Sequence, residues 1–410
     1  MSHSFDIAII GGGAAGVAAA CGAASSGLSV VIIEREEIIG GLATNAEVGT
    51  ICGLFKYNDY SEFEYNVGKF AREFSLQLQK QSNSDPNHDG TGLKYLPFEK
   101  NEFEKLCRDV LNQHNVTMMS ETTLVNVTEQ NKRITRIEIE SKKGRESIRV
   151  NALVDASGVS CVSKLLSHEL ITTHLLQSAS QVFSLENVSY TSEQQLTLVL
   201  LSTLRRGIVQ KELVEDDDRI HLVPSSLKKG SVSLKITLPI DNATFSEYEI
   251  QVEAQQRIKR IVNYLKLNVK GLKSITISSF AKTLGVRIAD RPIGKMTLTS
   301  TDVVGCKKIT SSIAKGNWPL EIWSHEKRVE IIPIKENDYY DIPAECLMSE
   351  KITNLFFAGR IISASDEAIA SARVIGTCLQ TGYAAGKLAA GFLQEERLED
   401  TIAKLQREQF

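Results

Sequence analysis

The chain has 410 residues, more than one ordinary core of about 100–200 residues accommodates, so two domains are expected. Apolar residues make up 42% and charged residues 24%, which excludes a disordered or coiled-coil chain. With 47 basic against 50 acidic residues the net charge is −3, leaving no global pull toward nucleic acid or anionic lipid.

The apolar N-terminal stretch from Phe5 to Gly27 is not read as a signal peptide or a membrane span. It lacks a basic leader, carries Asp6, and is interrupted by Gly11, Gly12, Gly13 and Gly16. Phe5–Ile10 reads instead as a buried parallel strand, followed by Gly11-Gly12-Gly13-Ala14-Ala15-Gly16, an alanine-rich helix ending at Gly27, and a second strand closing on Glu34. Each residue type has a physical task. Gly11 permits a tight turn, Gly13 admits a pyrophosphate, and Gly16 lets helix and strand approach. The helix start, with Ala14 and Ala15, offers amides to an anion, and Glu34 can accept from a ribose diol. An acid there speaks against a 2′-phosphate. Together these features predict dinucleotide binding, by either NAD or FAD.

Beyond Glu34 and Arg35 comes Gly40-Gly41-Leu42-Ala43-Thr44. This resembles the second glycine motif of the glutathione-reductase-like FAD fold, and the resemblance places Gly40, Gly41, Leu42, Ala43 and Thr44 along FAD. The stretch 96–112 has helical apolar spacing, and 116–119 reads as a strand. Three β-like runs at 124–128, 134–139 and 147–150 suit an antiparallel meander inserted in a parallel sheet. A separate buried strand then ends in Asp155-Ala156-Ser157-Gly158. By resemblance Ala156, Ser157 and Gly158 lie near the cofactor, as does Val125 in the meander. Asp155 can serve the cofactor or cap a helix.

From about residue 161 to 280 the glycine motifs stop. Strands are predicted at 196–201, 231–238 and 275–280, an amphipathic helix at 250–265, and a solvated acidic loop at Glu215–Asp218. No second GxGxxG with a following acid occurs there, which argues against a two-dinucleotide disulfide reductase. Near the end, Asn354–Phe357 reads as a strand leading into Ala358-Gly359-Arg360, with a turn at 361–368. A long Gly/Ala helix opening near Ser371-Ala372-Arg373-Val374 then passes Thr377. Its amide end suits an anion such as the N1–C2=O edge of a reduced flavin.

These two distant regions, with the Leu284–Trp318 segment, resemble the FAD-dependent oxidoreductase family with the glutathione-reductase-like fold. The resemblance covers about half the chain. It implies an α/β architecture: a Rossmann-like FAD-binding domain, with a parallel sheet and meander insert, and a mixed α+β substrate domain. The expected segments are 1–165 and 284–410 for FAD and 166–283 for the substrate. It adds Gly359, Arg360, Arg373, Val374 and Thr377 to the cofactor contacts. Family members often carry a histidine where Asp366 stands, so no imidazole role carries over.

FAD would perform two-electron oxidation of an organic substrate, with dioxygen or a redox partner as acceptor. Rival readings are a flavin monooxygenase, a non-catalytic FAD protein and an NAD dehydrogenase. Arg287 can fix a substrate carboxylate or a backbone group, or make a structural salt bridge. Arg373 can touch the cofactor or brace a carboxylate. Asp366 and Glu367 can act as general base or cap a helix. Trp318 and Trp323 read as packing rather than as aromatic walls for a substrate. Seven scattered cysteines without CxxC spacing read as reduced thiols of a cytoplasmic chain, with Cys52 and Cys378 near the cofactor. His168, His174, His221 and His325 lack metal spacing, and no metal is expected.

Overall fold

A computed structural model describes residues 4–58, 62–175, 177–240, 246–324 and 328–410. Strand β1 (Ser4–Ile10) leads through the glycine turn to helix α1 (Ala14–Ala24) and strand β2 (Val30–Ile33). Ile7, Ala8 and Ile9 are fully buried, as expected for a strand covered on both faces. Helix α1 is also apolar and buried nearly all round, so it lies inside the core. The helix predicted over 96–112 begins only at Lys100, because residues 94–97 pair as a short strand instead.

Strand β3 (Thr117–Met119) runs parallel beside β2, and the meander follows as β4 (Thr122–Gln130), β5 (Arg133–Ser141) and β6 (Gly144–Asp155). The runs at 147–150 and 152–155, expected as two strands, are one. The first half of β6 pairs antiparallel with β5, and its second half enters the parallel sheet beside β1. Asn354, fully buried, explains the change of partner. Its amide donates to the carbonyls of Ile134 (2.7 Å) and Asn151 (2.8 Å), and its carbonyl accepts from the Ile134 amide (2.8 Å). Backbone groups at the fork are thereby satisfied without a ladder partner.

A four-stranded antiparallel sheet follows, ordered β8-β9-β7-β10. Its members are β7 (Ala179–Glu186), β8 (Ile220–Leu222), β9 (Val232–Leu238) and β10 (Thr276–Phe280). Helices α2 (Glu193–Val209) and α3 (Glu247–Asn268) cover it. The strand predicted at 196–201 is thus part of a helix. Ser192 caps it by accepting from the Gln195 amide (3.3 Å), and Leu196, Leu200 and Leu204 are buried at a spacing of one turn. The acidic run Glu215–Asp218 is also corrected: it is a 3-10 turn with Asp217 fully buried. Asp217 pairs with Arg260 (2.7 Å) and Arg257 (3.3 Å) of α3, which offsets the cost of burying its charge.

The chain then forms strand β11 (Leu320–Ser324) and returns to the parallel sheet as β12 (Leu355–Phe357) beside β6. Helix α4 (Asp366–Ala372) and helix α5 (Ile375–Leu393) close the fold. The long helix starts at Ile375, later than predicted, because the chain breaks at Arg373 and Val374. Helix α5 packs backbone to backbone on α1. A Cβ on Gly382 would lie 2.1 Å from the Ala15 carbonyl oxygen, and one on Gly386 would lie 2.0 Å from that of Ala19. Glycine is required at this contact for want of space.

Candidate functional site

Two glycine turns face one another across the carboxyl ends of β1 and β2. Gly11 has φ +98°, and a Cβ there would meet the Ala156 carbonyl oxygen at 2.7 Å. The Gly40 amide donates to the Gly12 carbonyl at 2.8 Å. Gly41, at φ +61°, approaches so closely that its Cβ would fall 2.8 Å from Gly13 Cα. The result is a trough walled by bare backbone. Helix α1 starts at Gly13 without a side-chain cap, so its first amides face this trough ready for an acceptor. Glu34 accepts from the amides of Gly12 (2.5 Å) and Glu36 (2.8 Å) and keeps further lone pairs for a ligand hydroxyl. Burial raises its pKa, and those two amides oppose the rise.

The groove holds about 850 Å³ of free space including its mouth. It brings together Gly11, Gly13, Ala14, Ala15, Glu34, Arg35, Gly40, Gly41, Leu42, Ala43, Ala156, Ser157, Gly158, Gly359, Arg360 and Arg373. Five other candidates stand outside its lining. Gly16 packs under the turn, where a Cβ would be 1.8 Å from the Gly11 carbonyl oxygen. Thr44 is buried and donates to the carbonyls of Ile39 (2.9 Å) and Gly41 (3.1 Å). Val125 is on the meander strand β4, and Val374 lines the neighbouring chamber. Thr377 is fully buried inside α5. Sequence reasoning missed Glu36, Thr283 and Ala358, and placed Asn45 and Ile375 only within the segments 41–53 and 360–377 expected to reach the ring. Of these Ile375 was accessible in principle, as the first residue of α5, had the helix start been placed correctly.

The groove opens into a chamber of about 950 Å³, and the two share Leu42, Ala43, Arg360, Arg373 and Ile375. Trp323, read from sequence as packing, is a wall of this chamber because β11 presents it at the surface of the cavity. Trp318 does pack, against Leu93 and Val374. The Arg287 guanidinium lies 4.4 Å from the Trp323 ring centroid and donates to the Ser178 carbonyl; the Lys235 ammonium lies 5.1 Å from the same centroid. Arg373 donates to Gln177 Oε1 (3.2 Å) and pairs with Glu321 at 3.9 Å. Burial lowers Lys235 to about 8, helped by Arg287, and lowers Arg287 to about 9, helped by Arg373. Arg287 has no structural salt bridge among the described residues.

Asp366 and Glu367 line neither cavity. Ser365 is the cap of α4, accepting from the Ala368 amide at 3.3 Å, so the capping role expected for Asp366 belongs to its neighbour. Asp366 instead accepts from the amides of His174 (2.7 Å) and Leu175 (2.8 Å) and from Arg291. Glu367 accepts from Ser365 Oγ at 3.1 Å. Asp155 is fully buried and accepts from the amides of Ser157 (3.0 Å) and Val162 (3.0 Å), the second of which supports the start of the 161–165 helix. Burial pushes the thiols of Cys52 and Cys378 up to about 12, so neither is a thiolate near neutrality. His325 lies outside the described residues.

The residues fit a bound dinucleotide with a ring system at its chamber end. The cradle is free of side chains where a pyrophosphate would lie, an acid stands where a ribose would lie, and two buried polar atoms of the lining have no partner. Asn45 Oδ1 and Arg373 Nε, both of lining residues, are buried without a hydrogen-bond partner among the described residues.

A sequence model of the family described as FAD dependent oxidoreductase matches residues 6–409. No match was found among curated proteins. Among solved structures the chain is similar to a geranylgeranyl bacteriochlorophyll reductase-like protein from Thermoplasma acidophilum. Their identity is 12% and the TM-score 0.52, over 99% of this chain and 83% of that one. It is also similar to a triple mutant of the flavin-dependent brominase Bmp2, at 11% identity and TM-score 0.51, over 98% and 84% of the two chains. At such identities the likeness is one of fold. Among the described residues no helix is long and apolar enough to cross a membrane.

Proposed function

The chain belongs to the FAD-dependent oxidoreductase family, and from that premise we propose that it oxidises an organic substrate by two electrons in the chamber beside Trp323, with dioxygen or a redox partner as acceptor. One observation carries this reading. The nucleotide groove and the chamber share five residues, so a ligand filling the first reaches the second.

Bound FAD supplies the two-electron chemistry. The protein's part is to bind, orient and exclude water. The first amides of α1 would hold the pyrophosphate, and Glu34 the adenosine ribose. Leu42, Ala43 and Ile375 would shield the ring end from solvent, where the start of α5 directs amides and the positive end of its dipole toward negative charge. Arg287 and Arg373 would orient the substrate. No side chain is assigned as general acid or base. In this reading residues 1–165 and 284–410 form the cofactor unit around a substrate unit at 166–283. The seven free thiols suit a reducing, cytoplasmic setting.

The test begins with the visible spectrum of purified protein, where oxidised flavin is expected and a colourless protein even after reconstitution would end the proposal. Photoreduction without air, then admission of air or of artificial acceptors, should restore the oxidised spectrum. A flavin that no acceptor reoxidises would support a non-catalytic role instead. The apolar walls Val182, Val286, Val374 and Ile375 also favour a second reading, hydroxylation by dioxygen, because such chemistry needs water kept out. Labelled oxygen in the product decides for it; its absence with hydrogen peroxide released decides against it.

A further inference from the structure

We propose that the chamber recognises an organic carboxylate, with Arg287 and Lys235 as its anion-binding pair; this rests on the flavoenzyme reading above. Among the described lining residues, four side chains are cationic (Lys235, Arg287, Arg360 and Arg373) and one, Glu321, is a carboxylate. Glu321 is already engaged: it faces Arg373 at 3.9 Å and accepts from the Trp318 indole at 3.0 Å. Arg360 is also engaged, donating to the carbonyls of Gly158 (2.9 Å) and Val286.

Two cations remain without an ion pair among the described residues, with Glu321 acting on both only from a distance. Arg287 gives one nitrogen to the Ser178 carbonyl and otherwise rests on the Trp323 face. Lys235, half-buried on β9, makes no hydrogen bond or ion pair among the described residues and rests beside the same indole ring. Holding like charges around one ring and away from bulk water costs free energy, and an arriving anion would offset that cost. Arg287 still offers a planar fork, the geometry that takes a carboxylate by two parallel hydrogen bonds, and Lys235 adds a point charge beside it. The rest of the chamber is unsuited to a small hydrated ion. Val48, Val182, Val286 and Val374 line it, so the ligand should carry an apolar body behind its acid group.

The full chain loaded with FAD should be titrated with benzoate and butyrate, their amides benzamide and butyramide, and phenyl phosphate. Binding is read from the flavin difference spectrum and from tryptophan fluorescence, neither of which needs turnover. Carboxylates are expected to bind at least about tenfold more tightly than the matching amides, the worth of one charge-assisted hydrogen bond. Lys235→Met and Arg287→Met should each lose about tenfold for carboxylates and leave amides and FAD content unchanged, while Lys235→Arg should retain carboxylate binding. If Arg287→Met fails to fold for want of its bond to Ser178, Lys235→Met carries the test alone. Equal binding of acids and amides, no response to any acid, or no effect of Lys235→Met would overturn the inference. Tighter binding of phenyl phosphate than of benzoate would overturn the carboxylate class. Each of these failures in a flavin-loaded protein leaves the flavoenzyme reading intact, whereas a chain that never retains FAD overturns that reading itself.

Discussion

The guanidinium of Arg291 and the carboxylate of Asp366 form an ion pair that joins three distant segments of the chain. Arg291 is fully buried and also donates to the carbonyls of Ala364 (2.7 Å) and Ala289 (2.8 Å) and to Thr173 Oγ1 (3.0 Å). Asp366 in turn takes the backbone amides of His174 and Leu175. This accounts for an acid at a position where the family resemblance led one to look for an imidazole. The carboxylate is a clamp outside the chamber lining.

Asp366→Asn should therefore destabilise the fold by about 3 kcal/mol, the low end for breaking a buried pair, because Arg291 is left charged and unmatched. Flavin content and turnover per folded molecule should stay close to wild type. Chemical denaturation measures the first and active-site titration the second. A large loss of turnover with unchanged stability would restore Asp366 as a catalytic candidate.

The same pair predicts an acid limit. Burial raises the Asp366 pKa, but the Leu175 and His174 amides and Arg291 outweigh it and hold the group below the ordinary carboxylate value. A lowered folded-state pKa gives stability that is present above the unfolded value, near pH 4, and lost as pH falls through the folded one. Asp366→Asn should flatten that part of the stability curve.

Gly382→Ala sets two effects against each other. Alanine is the better helix former by about 1 kcal/mol. The new Cβ, however, would lie 2.1 Å from the Ala15 backbone oxygen, where neither helix can yield without moving. Overpacking of this kind costs about 1–3 kcal/mol or more, so net destabilisation is expected. Because Ala15 lines the nucleotide groove, retention of FAD should fall as well, measured by flavin released on gel filtration.

Glu34→Ala removes the acceptor for the Gly12 and Glu36 amides together with the group placed for the ribose. A loss of about 1.5–3 kcal/mol in FAD binding follows, or roughly ten- to a hundredfold in dissociation constant. Titration of the apoprotein with FAD checks it. Glu34→Gln, which keeps one acceptor oxygen, should lose less.

Affinity of the chamber for a carboxylate should decline above about pH 8, the value to which burial and Arg287 bring Lys235. The groups facing Lys235 are Arg287, Glu321, Cys52 and Arg373, with His221 opposite it on β8. Below pH 8 the ammonium is charged and attracts the anion; above it the amine is neutral and the attraction fades. Lys235→Arg should hold the affinity to a higher pH than Lys235 does, up to about pH 9, where burial brings Arg287, because a guanidinium gives up its proton less readily than an ammonium. Benzoate titrations from pH 6 to 10 (a range of about four units around the Lys235 value) follow the change.

Much of the nucleotide groove was legible in the chain itself, since its rules are local. The turn at Gly11 needs φ +98°, a conformation that favours glycine, and the strand, helix and terminal acid around it lie within a few dozen residues. Longer-range features were not legible. The run 196–201 is apolar enough for a strand, and only burial continuing to Leu204 and Gly207 makes it a helix. The acid run at 215–218 looked solvated because its partners Arg257 and Arg260 stand some forty residues away on another helix.

The sequence by itself determined where the glycine-walled groove lies, because steric limits on backbone and the amides of a helix start act between near neighbours. Only the tertiary structure decided what stands beside that groove. Lys235, Arg287, Trp323 and Arg373 come from four separate segments, and nothing in the spacing of any one of them announces the others. Their meeting is set by how the antiparallel sheet docks on the cofactor fold, a matter of total burial in which no local pattern of side chains has the deciding part.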